Sequence, residues 1–253
     1  MSEHISRVAI ITGATSGIGE ATARRFVRAG YGVVGNGRNG ARLTELEREL
    51  GDAFRGVVGD AADRKLQEAL FDEALDRFGK RADIVVVNAG RGLGGSVLDV
   101  EPGEFEEVLK INLVGAFGLL QIAARKMLEA QPGDDPEAAA DIVVIGSVVG
   151  RHISPFSAVY GASKFAVHSL TEALRREVGP KGIRVSLVEP GAVLTGFQQS
   201  AGYSEEMVQG FQDRFGPLLS GDDVARTIHL IVSQPPHVHL SDVVVRPTGQ
   251  DYP

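Results

Sequence analysis

Val8-Ala9-Ile10-Ile11-Thr12-Gly13-Ala14-Thr15-Ser16-Gly17-Ile18-Gly19 is the stretch that decides how this chain folds. Its apolar half has the length of a strand, three glycines follow at spacings of four and two, and a helical pattern opens at Ile18. Glycine at such a turn lets the backbone come close to a pyrophosphate. The helix behind it aims unpaired N–H groups and the positive end of its dipole at the same place. The spacing is G-x-x-x-G-x-G, so the commoner dinucleotide fingerprint G-x-G-x-x-G fits only loosely, and an ordinary tight turn remains open.

Outward from this turn, short β-branched runs alternate with longer amphipathic segments. The pattern predicts strands over 8–11, 31–36, 54–58, 84–87, 142–145, 183–188 and 243–245. Helices are predicted over 17–29, 42–50, around Leu66, Leu70, Ala74 and Phe78, over a long tract 102–130, and over 158–178. Several strands are continuous apolar runs, as expected when helices cover both faces. Strict alternation specifies a doubly wound α/β fold with a parallel sheet and right-handed crossovers. No linker, repeat or second domain is visible, so residues 1–253 read as a single domain. The polar, turn-rich stretch 131–136 reads as a surface loop at the end of the sheet away from any ligand.

Bulk properties narrow the function. Apolar residues make up 43% and charged residues 23%, an ordinary globular balance. A net charge of −7 without a basic cluster argues against nucleic acid. The absence of cysteine excludes disulfides, thiolate metal sites and cysteine nucleophiles. No signal-peptide pattern opens the chain, and no apolar run approaches the roughly 18 residues of a membrane span. A cytoplasmic protein without membrane partners is expected.

In doubly wound sheets, ligands sit at the carboxyl ends of the strands. After the second strand stands Arg38-Asn39, with no Asp or Glu between Tyr31 and Thr44 to take a ribose 2′-hydroxyl. A guanidinium there suits a 2′-phosphate, which favours NADP(H) over NAD(H). After the third strand, Asp60 is placed either to meet a base or to cap, and Asp63 reads as an N-cap. After the fourth come the small residues Asn88-Ala89-Gly90. Ser147 follows the fifth strand, while Tyr160 and Lys164 lie four apart on one face of a helix. A phenol, an ammonium and a hydroxyl converging on one crevice make a proton donor for a carbonyl, with the cation expected to lower the phenol's pKa.

Together, Thr12-Gly13-x-x-x-Gly17-x-Gly19, Asn88-Ala89-Gly90, Asn112, Ser147, Tyr160-x-x-x-Lys164 and Pro190-Gly191 resemble, in order and spacing, the short-chain dehydrogenases/reductases. The match runs from Val8 to about Val193 and is loose beyond it. The resemblance implies a Rossmann-type sheet of about seven strands in a homotetramer or homodimer. It implies Tyr160 as general acid/base, Lys164 lowering its pKa and holding the nicotinamide ribose, and Ser147 polarising the carbonyl. Asn112 would hold a water through its backbone carbonyl. The implied cofactor contacts are Gly13, Thr15, Ser16, Gly17, Ile18 and Gly19 in the first turn, then Arg38, Asn39, Asp60, Ala61, Asn88, Ala89 and Gly90. Pro190, Gly191, Val193 and Thr195 complete them at the nicotinamide. Two residues depart from the pattern: Val87 stands where a second Asn is usual, and Ser16 replaces a basic residue found in some NADP-dependent members.

The implied function is NADP(H)-dependent interconversion of a small-molecule ketone or aldehyde and its alcohol. The alternative is a catalytically silent NADP(H)-binding regulator on the same fold. Arg91, Leu93, Arg151, His152, Phe156 and Phe197 are the expected substrate neighbours beside Ser147, with either arginine a potential anchor for an acid or a solvated loop residue. Met207, Phe211 and Phe215 repeat at i, i+4 within a stretch, about 193–216, that reads equally as a substrate flap or as packing. His237 and His239 have no third ligand nearby, and no metal is expected.

Overall fold

Every residue of β1 (Val8–Thr12) is buried, and side chains alternate across a strand, so this segment has no choice but the centre of a sheet. Val8 and Ile10 enter one apolar cluster; Ala9 and Ile11 enter a second on the opposite face. In a computed structural model, which describes residues 5–130, 139–154 and 156–252, helix α1 (Gly17–Arg28) follows the glycine turn. Then come β2 (Gly32–Gly37), α2 (Gly40–Leu50), β3 (Phe54–Val58), α3 (Arg64–Phe78), β4 (Ile84–Val87), α4 (Pro102–Leu109), α5 (Ala116–Glu129) and β5 (Ala140–Ile145). The second half runs α6 (Ala158–Val178), β6 (Ile183–Pro190), β7 (Val193–Leu194), α7 (Phe197–Ser200), α8 (Glu205–Phe215), β8 (Leu219–Ser220), α9 (Gly221–Val232) and β9 (Asp242–Val245).

Seven parallel strands pair in the order β3-β2-β1-β4-β5-β6-β9, while β7 and β8 form a separate parallel pair. Phe26 of α1, Leu46 of α2 and Ile228 of α9 fill one layer, and Leu70 of α3, Leu119 of α5 and Val167 of α6 fill the other. The chain turns outward from β1 through β2 and β3, then returns to place β4 on β1's other side. That reversal opens a crevice at the carboxyl ends of β1 and β4.

The doubly wound Rossmann-type fold stands as the sequence reading has it, with two departures. Helix α9 is an added element; its start is marked by a capping box between Ser220 and Asp223, a Ser-x-x-Asp signal ahead of an apolar run. The tract over 102–130 is interrupted by a wide π turn, Lys110–Gly115. By length and composition this tract, Pro102–Glu129, is apolar enough to cross a membrane, yet 50% of its most apolar window is buried in the protein. The loop expected at 131–136 lies outside the described residues.

The amino ends of the strands are held by a buried ion network. Arg184 donates to both oxygens of Asp141, at 2.7 and 2.8 Å, and Arg7 reaches Asp141 at 2.9 Å and Asp83 at 3.3 Å. Asp141 is 1% exposed. Burial pushes the Asp83 carboxyl up, against the lowering influence of Arg7.

Candidate active site

The crevice is a cavity of about 1040 Å³ running from Arg38 to the helix α8. Its floor is the β1–α1 turn. Gly13 and Gly17 have φ of +68° and +54°, and a Cβ on Gly13 would lie 2.8 Å from Asn88 Nδ2. Ser16 is the N-cap of α1 but its side chain caps no backbone N–H, so the first turn presents bare amides beside a positive helix end. This is a cradle for a pyrophosphate, and the residues fit a dinucleotide. Gly19 plays a different part from the one expected. It does not line the cavity; a Cβ there would meet Gly13 O at 2.2 Å, so it seats α1 against the turn.

Thr12 and Asn88 tie the two strand ends together. Thr12 Oγ1 accepts the amides of Asn88 and Ala89, both at 3.1 Å, and Asn88 Nδ2 donates to Thr12 O at 2.8 Å. Asn39 caps α2 through the Arg42 amide, and Asp63 caps α3 through that of Lys65. Asp60 accepts from Ala62 N at 3.0 Å and faces Lys110 at 3.7 Å while lining the cavity, so its turn role and its place at the wall coexist. Arg38 lines the cavity, exposed, with no hydrogen bond or ion pair among the described residues. Thr15, Ile18, Ala61, Ala89, Gly90, Pro190, Gly191, Val193 and Thr195 also line it.

Ser147, Tyr160 and Lys164 converge at the middle of the cavity. Ser147 is hydrogen-bonded to Tyr160. Lys164 donates to Ile145 O at 2.7 Å and its ammonium lies 5.6 Å from the Tyr160 ring centroid. The electrostatics differ from the sequence expectation. Burial pushes the Tyr160 phenol up; the Ser147 hydrogen bond opposes this and Tyr203 adds to it. The ammonium points at a carbonyl and the ring face rather than at the hydroxyl, and burial pushes Lys164 itself down to about 8. Desolvation of a phenolate outweighs a cation aimed elsewhere.

The Asn112 side chain makes contacts of its own. It stands behind the cavity wall in the π turn, 3% exposed, its Oδ1 accepting from Arg91 N and its Nδ2 donating to Arg91 O and Ser163 Oγ. Among expected substrate neighbours, Arg91, Ser147, Phe156 and Phe197 line the cavity, whereas Leu93, Arg151 and His152 do not. Arg151 instead turns to Glu189 at 2.5 Å, because that carboxylate is fully buried in β6 and needs a counter-charge. His239 is held at Val185 O, 3.0 Å away.

The sequence reading overlooked His168 and Glu189. His168 Nε2 accepts the Ser147 amide at 3.3 Å, and Nδ1 faces Glu189 Oε2 at 3.6 Å. Gly146 and Gly150 make room for the ring, since a Cβ on either would lie within 2.3 Å of it. Two signals existed: position 168 repeats the Tyr160–Lys164 spacing once more, and Glu189 is a charge inside an apolar strand. Burial, with Lys164 and Arg151 nearby, pushes the His168 imidazole down to about 4. An unfolded histidine binds its proton near pH 6.5, so this contribution to stability is complete above that pH and is lost as pH falls toward 4. By that linkage, His168→Gln is expected to flatten the pH dependence of urea unfolding between those limits, by at most about 3 kcal/mol; an unchanged slope would remove the assignment.

Residues 7–206 match the family model described as short chain dehydrogenase. Serine 3-dehydrogenase of Rhizobium radiobacter is 31% identical, covering 98% of this chain and 96% of that protein. Sulfoacetaldehyde reductase 2 of Chromohalobacter salexigens is 34% identical, covering 97% and 96%. The solved closed form of serine dehydrogenase complexed with NADP+ has a TM-score of 0.85 at 27% identity, covering 97% of this chain and 96% of its own. A 3-ketoacyl-(acyl-carrier-protein) reductase from Brucella melitensis complexed with NADH gives 0.85 at 31% identity, covering 95% and 97%. The glycine cradle, the Ser147–Tyr160–Lys164 cluster and the whole-length match meet in one conclusion: this chain belongs to the short-chain dehydrogenase family of nicotinamide-dependent oxidoreductases.

Proposed function

We propose that the protein is an NADPH-dependent carbonyl reductase, able to run in reverse as an alcohol dehydrogenase, with Tyr160 as its general acid/base. The observation that carries this reading is the hydrogen-bonded pair of Ser147 and Tyr160, set in the same cavity as the glycine cradle. When bound, the cofactor supplies hydride to the carbonyl carbon. Ser147 and Tyr160 direct their hydroxyls to the carbonyl oxygen, where negative charge develops in a water-poor site. Because burial keeps the phenol protonated, Tyr160 is ready to give its proton from Oη to the forming alkoxide. Lys164, seated on Ile145 O, is placed to hold the nicotinamide ribose. The stretch 193–216 acts as a substrate flap: Met207, Phe211 and Phe215 line the cavity, and Phe215, 7% exposed, anchors the segment.

Arg38 supports the choice of NADP(H). It stands at the end of β2 with its guanidinium unpaired among the described residues, and the absence of a basic residue at Ser16 leaves it as the selector in this reading. Arg38→Ala is expected to raise KM for NADPH about 10- to 100-fold, the worth of a charge-assisted pair, and to leave that for NADH nearly unchanged. Equal effects on both cofactors would move the selector elsewhere. The protein is further proposed to work in the cytoplasm as a homo-oligomer. NADPH consumption across a panel of ketones and aldehydes tests the function; binding without turnover on every carbonyl would instead support the silent regulator.

A further inference from the structure

Beyond Ser147 and Tyr160, the cavity is walled by Phe156, Phe197, Tyr203, Met207 and Phe211. The Phe197 ring lies 5.4 Å from that of Tyr160, centroid to centroid, and the Tyr203 and Phe211 rings are 6.2 Å apart at 68°. Phe211 stacks on Phe215 at 5.9 Å with planes 7° apart. Phe156 and Met207 are 72% and 39% exposed, so large apolar surfaces stand uncovered where a substrate would lie.

The charges of this half are already committed. Arg91 is held by Glu104. Arg214 is held by Asp251 at 3.0 Å, with its guanidinium 5.4 Å from the Phe215 ring centroid. Lys164 holds Ile145 O. Arg38 and Lys110 belong to the other end, beside Asn39 and Asp60. The longer polar side chains serve the walls themselves: Tyr203 is bonded to Ser157, and Gln198 to the backbone of Val193 and Thr195. An acid entering here would have to draw Arg214 from Asp251 or Arg91 from Glu104, exchanging one exposed pair for another at no gain, or stand unpaired among rings, which is costly.

We infer that the substrate is a neutral carbonyl compound carrying a flat apolar ring, rather than a small carboxylate or sulfonate. The inference rests on the carbonyl-reducing function proposed above and adds to it the class of substrate. Rings offered to rings gain offset and edge-to-face contacts along with burial.

The test compares initial rates with NADPH for acetophenone, pyruvate and sulfoacetaldehyde, and with NADP+ for serine, on the purified full chain. Acetophenone is expected to exceed each charged compound at least about 100-fold in kcat/KM, as when a charge lacks its partner. Phe211→Ala is expected to raise KM for acetophenone about 10-fold with kcat held within about two-fold, the signature of lost ground-state contact. Faster turnover of a charged compound, lost in Arg214→Gln, would overturn the substrate class while leaving the carbonyl reductase standing. No turnover of any of the four, with NADPH still binding, would overturn the reductase reading and the substrate class with it.

Discussion

Tyr160→Phe is expected to lower kcat for carbonyl reduction about 10²- to 10⁴-fold, the usual worth of a positioned general acid, or about 3–5 kcal/mol in the barrier. The variant loses one hydroxyl and keeps the ring that packs 5.4 Å from Phe197 and beneath the Lys164 ammonium. Its NADPH dissociation constant should therefore stay close to wild type, separating chemistry from binding. Direction matters too. Burial raises the phenol's pKa, so the acid form needed for reduction is abundant at neutral pH and the base form needed for alcohol oxidation is scarce. Oxidation should accordingly climb with pH in the alkaline range while reduction does not. Steady-state rates in both directions check this; wild-type reduction by Tyr160→Phe would assign the proton to another group.

Asp141→Ala is expected to cost about 3–5 kcal/mol in folding free energy, because it leaves Arg184 and Arg7 as buried charges without their shared partner. Arg184 is 5% exposed, and its remaining bonds run to the backbone oxygens of Val232, Gln234, Pro235 and Val238, which cannot neutralise it. For a domain of this size such a loss corresponds to a fall in Tm of about 10 °C. Urea and thermal unfolding measure it, and a change below about 1 kcal/mol would show that the network contributes little.

How much of this was legible beforehand differs from residue to residue. Ala158–Val178 is readable because its apolar periodicity is long, and Val8–Thr12 and Ile84–Val87 because continuous apolar runs of strand length suit a sheet covered on both faces. Helix α9 was missed although its capping box is local, because Gly221, Asp222 and Asp223 open it with turn-forming and charged residues before its apolar face begins. Gly19 and Asn112 stand where their motif puts them, but the motif does not say which atoms they face. One presses on Gly13 O and the other clasps Arg91. Arg151 was a plausible anchor for a substrate until the fold set a fully buried Glu189 beside it.

The amino-acid order alone determined the parallel sheet, the glycine cradle and the meeting of Ser147, Tyr160 and Lys164, because these follow from short-range periodicity, turn chemistry, the spacing of Tyr160 and Lys164 along one helix, and the place of Ser147 at a strand's carboxyl end. Only the tertiary structure decided which arginines are already paired, why the Tyr160 phenol is pushed up, and that His168 stands behind Ser147. Pairing and desolvation depend on neighbours brought in from distant strands, and no local pattern records what a side chain will be buried against.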